Sequence, residues 1–209
     1  MTSKRKQKVI AYIDGFNFYY GLKDRNWKKF YWLDIVKFIE KNLRSHQELL
    51  EVHYFSAIPN DKGKASRQDK LFQANKLNPK FFLHLGKYLP KRLTCYGCGR
   101  TIHSYEEKET DVRIASSMLY DCFVNKSDVV ILVSADSDLI PPIEIMRQIN
   151  PMLKIIVFFP PKRFSNELRN ICDSYKNLNG SFRVFADSAL PEEIELPNGF
   201  ILERPDSWK

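Results

Sequence analysis

Residues 9–13 and 129–133 are apolar at every position, and residues 155–159 repeat the pattern. Unbroken hydrophobicity over so few residues predicts strands buried on both faces, the habit of parallel sheets. Between them the period changes. Leu33, Val36, Ile39 and Leu43 recur at helical spacing, predicting a helix over 33–43 after a shorter one over 18–23. Strands are predicted at 50–57 and 81–88, and a helix at 64–77 between them. The strongest helix is predicted over 106–124, with Val112, Ala115, Leu119, Cys122 and Phe123 as its buried stripe. Another runs over 139–148, where Pro141 and Pro142 are tolerable only in the first turn. A helix over 167–175 and a short strand over 182–185 complete the series. Residues 90–105 lack either period and read as an irregular insertion. Strands alternating with helices imply an α/β fold, a mainly parallel central sheet with helices on both faces.

Length and charge refine this picture. At 209 residues the chain suits one domain and is short for two. We read residues 1–186 as that domain and 187–209 as an acidic tail, either wrapped on the body or mobile. The tail carries a local net charge of −4, which leaves +12 on the remainder of a chain whose total is +8. A basic body points to a polyanionic partner, nucleic acid being the commonest. No apolar run approaches the roughly 20 residues of a membrane span. The basic start is followed by an aspartate too soon for a signal peptide. The expectation is a cytoplasmic protein whose four cysteines form no disulfide framework.

The candidate chemistry is acidic. Asp14 follows the first apolar strand, and Asp136 and Asp138 follow the 129–133 strand. Asp111 opens the helix that passes between them. In open α/β sheets the ligand site lies outside the carboxyl ends of the strands. Four carboxylates gathered there repel one another unless a cation sits among them. Oxygen-only ligands suit Mg²⁺ or Mn²⁺. Taken singly, each residue has a plainer explanation: Asp138 as a helix N-cap, Asp111 as a solvated face residue.

Tyr12-Ile-Asp-Gly-Phe-Asn17, Lys108-Glu-Thr-Asp-Val-Arg-Ile-Ala115 and Val133-Ser-Ala-Asp-Ser-Asp-Leu139 together resemble the three motifs of NYN-domain proteins of the LabA/DUF88 type, in the PIN-like nuclease superfamily. The resemblance covers roughly residues 8–180 and extends to the 196–208 tail. It departs at Phe16, Ala135 and Leu139, with no carboxylate lost. It implies a PIN-like three-layer sandwich and metal-dependent phosphodiester hydrolysis, with RNA as substrate and DNA not excluded. Asp14, Asp111, Asp136 and Asp138 would be metal ligands or hold metal-bound water. Asn17 would orient a ligand or contact phosphate, Ser134 would support the ligands, and Lys108 would touch the scissile phosphate or neutralise the acids.

Other features carry two readings each. Cys95 and Cys98 look like half a zinc knuckle, with His84 and His103 as nearby ligands by sequence. They are otherwise a surface turn, or complete a Zn²⁺ site with a second chain in a homodimer. Lys64, Arg67, Lys70 and Arg100 line a phosphate path or a solvated face, and Lys162 and Arg163 precede a helix that is able to bind phosphate. The leading expectation is a metal-dependent endoribonuclease. A non-catalytic RNA-binding module and a metal-dependent small-molecule phosphohydrolase are the alternatives.

Overall fold

The computed structural model describes residues 5–209, apart from the side chains of residues 103 and 104. Its centre is a six-stranded, all-parallel sheet. β1 (Gln7–Asp14), β2 (Gln47–Ser56) and β3 (Phe81–Leu85) form one half; β6 (Val129–Val133), β7 (Lys154–Phe159) and β8 (Ser174–Asn177) form the other. The strand order is β3-β2-β1-β6-β7-β8. The chain therefore winds outward from β1 in one direction and from β6 in the other.

Each strand feeds side chains alternately to two apolar cores. On one face Val9, Ala11 and Ile13 of β1 meet α1 (Gly15–Asp24), α2 (Ile35–Glu40), α3 (Lys62–Lys76) and α7 (Phe182–Asp187). On the other, Ile10 and Tyr12 meet α4 (Thr110–Phe123), α5 (Ile140–Ile149) and α6 (Asn166–Ile171). This is the three-layer α/β sandwich that the alternation of periods predicts.

The residues 90–105 are not irregular. β4 (Lys87–Thr94) and β5 (Thr101–Lys108) pair as an antiparallel hairpin outside the main sheet. Apart from part-buried Tyr88, Glu106 and Glu107 at its base, its described residues are exposed, so no core-facing alternation marks the strands in sequence. The segment 182–185 is also corrected: it begins helix α7, and Phe185 packs on Phe18, Phe30 and Phe38. The 167–175 helix stops at Ile171, and Ser174–Asn177 becomes the edge strand β8.

Helix α4 has a different phase from the one predicted. Ile114, Met118 and Cys122 are buried, while Val112 and Phe123 are about 70 % exposed. The reason is Asp121, which turns inward with the apolar stripe. Its Oδ2 accepts a 2.6 Å hydrogen bond from the Tyr12 hydroxyl, and Lys126 Nζ lies 3.4 Å from Oδ1. Cys122 is core as expected, whereas Cys172 is half-buried.

Beyond α7 the acidic tail packs on the body. β9 (Glu193–Glu195) and β10 (Ile201–Glu203) form a short antiparallel pair, and a 3-10 turn at Asp206–Trp208 seats Trp208 against Tyr31 and Trp32. Trp32 Nε1 donates to the Pro191 carbonyl, and Arg204 bridges Glu192 to the carbonyls of Lys29 and Trp208.

The buried Tyr12–Asp121 bond yields a test. Tyr12→Phe leaves a buried carboxylate oxygen short of a donor, which costs about 1–3 kcal/mol. Equilibrium denaturation of the variant is expected to show that loss, with an unchanged denaturant slope.

Candidate functional site

The two halves of the sheet diverge between β1 and β6, and at their carboxyl ends this leaves a crevice. Asp14 closes β1 and doubles as the N-cap of α1, its Oδ1 accepting from the Asn17 amide at 2.9 Å. The chain leaves β6 through fully buried Ser134. The Ser134 hydroxyl donates to Asp14 Oδ2 at 2.9 Å and accepts from the Asp136 amide at 3.1 Å. Asn17 Oδ1 accepts from the Ala135 amide at 3.2 Å. Ser134 and Asn17 thus tie the ends of β1 and β6 together and aim their acids at one point.

Asp111 arrives from the other side, at the start of α4. The hairpin strand β5 runs as far as Lys108, and Glu109 turns the chain with φ of +80°, so that the helix begins over the crevice. Lys108 consequently does not lie one helical turn ahead of Asp111; it ends a strand, and its ammonium is 3.2 Å from Glu106. Ligand oxygens of Asp14, Asp111 and Asp136 all lie within 4.8 Å of one another. Asp138 is outside this trio. It is exposed, its amide donates to Asp136 Oδ1 at 3.0 Å, and its charge reaches Asp111. Asp136, rather than Asp138, caps the short turn that follows β6.

The electrostatics follow from this crowding. Asp14 is 4 % exposed, and its pKa is pushed up to about 6. Burial is the main cause; the charges of Asp111 and Asp136 add to it, against the hydrogen bonds from Asn17 and Ser134. Asp111 is raised too, by burial and then by Asp136, Glu107 and Asp138. Among the described residues, no Lys or Arg forms an ion pair with any of the four aspartates.

A second acidic group shows the contrast. Glu51, His53 and Asp121 also offer ligand atoms within 4.8 Å of one another. There the protein supplies its own cation: Lys126 Nζ stands 2.6 Å from Glu51 and 3.4 Å from Asp121. His53 Nε2 lies 2.8 Å from Glu51 and its Nδ1 2.8 Å from His84 Nε2. Burial disfavours the charge on Glu51, yet Lys126 and His53 hold it below its usual range. That group has a basic partner of its own, Lys126, shared by both acids; the crevice has none among the described residues.

Glu107 is a carboxylate that the motifs did not single out. Its Oε1 accepts from the Thr110 amide at 3.0 Å and from the Thr110 hydroxyl, and its charge acts on Asp111. Its position four residues before Asp111 was the available signal, since a helix over 106–124 would already have set the two on one face. Gly86 backs the same junction. A Cβ there would come within 2.7 Å of the Lys108 carbonyl and 2.8 Å of Thr110 Oγ1.

The remaining candidates separate. Lys64 and Arg67 line a cavity next to Gly15. Lys70 reaches the Glu203 carbonyl in the tail at 3.4 Å, and Arg100 stands at the hairpin tip. Arg163 is paired with Asp24 at 2.6 Å, and the Lys162 amide donates to Asn179. Ser165 Oγ accepts from the Leu168 amide, which accounts for that serine as a cap. Cys95 and Cys98 are exposed at the hairpin tip, and His84 is engaged with His53 instead. The His103 side chain lies outside the described residues. Among the described residues, no group of three ligating side chains includes the two cysteines.

A parallel sheet with carboxylates massed where its winding reverses is the arrangement found in the PIN-like nuclease class, and the family match places the chain there. More narrowly, the chain belongs to the NYN domain family, whose model matches residues 8–179. A solved protein of unknown function from Vibrio parahaemolyticus RIMD 2210633 superimposes with a TM-score of 0.59 at 20 % identity, over 87 % of this chain and 99 % of that one. At that identity the likeness speaks for the fold. A comparison with curated proteins finds no match. No described helix is long and apolar enough to cross a membrane.

Two outcomes test the site without reference to catalysis. Because Asp14 has a folded pKa of about 6 against an ordinary 3.8, its neutral form favours the fold. That stabilisation is complete below about pH 4 and lost as the pH rises through about 6. Melting in EDTA is therefore expected to show Asp14→Asn gaining on the wild type between about pH 4 and pH 7; a variant that keeps pace with the wild type or loses ground to it over that range contradicts the assignment. Gly86→Ala is expected to cost about 1–3 kcal/mol through overpacking at the head of α4. Gly97→Ala, whose added Cβ would meet only Cys95 Sγ at 4.0 Å, is the neutral control in the same denaturation series.

Proposed function

We propose that the protein is a metal-dependent endonuclease acting on single-stranded RNA. The observation that carries this reading is the crevice trio of Asp14, Asp111 and Asp136, three converging carboxylates with no basic partner among the described residues. The donor set suits a divalent ion: all are carboxylate oxygens, which favours Mg²⁺ or Mn²⁺ over a softer metal. Asp14, Asp111 and Asp136 hold the ion in this proposal, with Asp138 at its outer edge. Such an ion supplies charge stabilisation for phosphoryl oxygens and a water acidic enough to attack at neutral pH.

The protein's own part is positional. Ser134 uses its one hydroxyl twice, donating to Asp14 and accepting from the Asp136 amide, so that neither ligand rotates independently. Asn17 fixes the separation of the two strand ends through its Oδ1 and the Ala135 amide, and its side-chain nitrogen remains a donor that a phosphate could use. Glu107 and the positive-φ Glu109 set where α4 starts, and with it Asp111. Hydrolysis by water needs no 2′-hydroxyl, so a single-stranded DNA of the same sequence is a weaker substrate rather than an inert one. The cation-rich body and the membership in a nuclease-type family are consistent with this role.

The test is cleavage of end-labelled single-stranded RNA in Mn²⁺, in Mg²⁺ and in EDTA, beside Asp136→Asn. Cleavage is expected only with metal, and the variant is expected to lose about 100-fold or more. Activity that survives both chelation and the substitution rejects the proposal. RNA binding with no cleavage under any condition moves the protein to the non-catalytic RNA-binding class.

A further inference from the structure

A cavity of about 240 Å³ opens beside the acid cluster, on the other side of Gly15 from Asp14. It lies among α1, α3, the end of β2, the base of the hairpin and the C-terminal turn. Its walls are aromatic: Phe16, Tyr31, Tyr54, Tyr88 and Trp208 all face it. Phe16 and Tyr88 meet edge to face at 6.1 Å, as do Tyr31 and Trp208 at 5.7 Å. Gly15 makes the close approach feasible. A Cβ at that position would sit 2.4 Å from the Phe55 carbonyl and 2.7 Å from the Tyr54 ring. Lys64 and Arg67 of α3 stand along the cavity, and Lys64 is exposed.

One polar group in the wall is incompletely used. Gln68 Nε2 donates to Ser56 Oγ at 2.9 Å, yet Gln68 Oε1 is buried with no hydrogen-bond partner. Reversing the amide would only exchange an orphan acceptor for an orphan donor. A buried orphan of this kind costs free energy, and a turn of the Gln68 side chain toward the cavity it lines would let an N–H group of a bound ligand relieve it.

We propose that this cavity receives one unpaired nucleobase of the bound strand, next to the phosphate held at the aspartates. The inference rests on the nuclease reading for its substrate class and adds to it a recognition pocket. The volume is below that of drug-sized pockets and suits a single ring system. Aromatic faces stack on any base, the Gln68 amide meets its hydrogen-bonding edge, and Lys64 and Arg67 take the flanking backbone phosphates. Because the base must leave any duplex to enter, the pocket selects single strands.

The test is equilibrium binding of a labelled single-stranded RNA heptamer to the full chain in EDTA, so that cleavage plays no part. An abasic residue is placed at each position in turn. In the wild type one position is expected to stand out, its abasic form binding about 10-fold more weakly. Tyr88→Ala, on the hairpin and away from the core, is expected to weaken the intact strand by a similar factor and to abolish the abasic effect. Gln68→Leu is expected to reduce that effect; because it also leaves the buried Ser56 hydroxyl without its donor, it is paired with Ser56→Ala, and the double variant is expected to show the same reduction.

The proposal is overturned if no position is sensitive, or if Tyr88→Ala and Gln68→Leu both retain the full abasic effect. A wild type that discriminates bases in EDTA but cleaves nothing with metal leaves the pocket standing and removes the nuclease. Metal-dependent cleavage with no abasic-sensitive position does the reverse.

Discussion

Mutual repulsion among Asp14, Asp111 and Asp136 is the constraint around which the molecule is arranged. Like charges whose oxygens lie within 4.8 Å, one of them almost wholly buried, are unfavourable in the metal-free protein. They stay together because the elements that carry them are fixed elsewhere. β1 and β6 are adjacent in the sheet with five residue pairs in register, and the two apolar cores clamp them from both faces. The raised pKa of Asp14 reflects the same scaffold: it buries the carboxylate first of all, and places the charges of Asp111 and Asp136 beside it, so that the proton is held to about pH 6.

Most of the scaffold was legible because its strands are buried on both faces. Continuous apolar runs at β1, β6 and β7 located the sheet, and an aspartate at the end of two of them located the crevice. What was not legible had a specific cause in each case. Apart from its base, the β4–β5 hairpin faces solvent on both sides, so no period betrays it. The phase of α4 was misjudged because a charged residue, Asp121, belongs to its buried face, and burial there depends on partners 109 and 68 residues earlier in sequence, Tyr12 and His53. The aromatic spacing of 182–185 fits a strand as well as a helix, and only the cluster around Phe185 decides between them. Lys108 was placed on a helix for the same reason that the hairpin was missed.

The two acidic groups in the protein differ in a way that composition alone could not reveal. Around Glu51, His53 and Asp121, a lysine from beyond α4 pairs with both acids, and two imidazoles share a hydrogen bond that requires one of them to accept. Burial holds both imidazoles below their usual range, His84 to about 4. That network is closed on itself and binds α4 to β1, β2 and β3. Its rigidity serves the crevice indirectly, since the same helix carries Asp111 at its other end. A fully paired cluster at the C-terminal end of α4 thus anchors an unpaired one at the N-terminal end.

The division of labour extends to the segments outside the sheet. Asp14, Ser134 and Asp136 depend only on the sheet and the turns at its edge. The aromatic cavity beside them is built largely from elements appended to it: Tyr88 from the hairpin, Trp208 from the tail, Phe16 from the first turn of α1. The tail, whose net charge opposes that of the body, is held by Arg204 and the Trp32–Pro191 contact so that Trp208 closes one wall. Carboxylates at a sheet's switch point specify what kind of bond can be attacked but not which strand is presented. Under the proposed reading, selection of the strand falls to the hairpin and the tail, which lie outside the paired strands that hold the aspartates together.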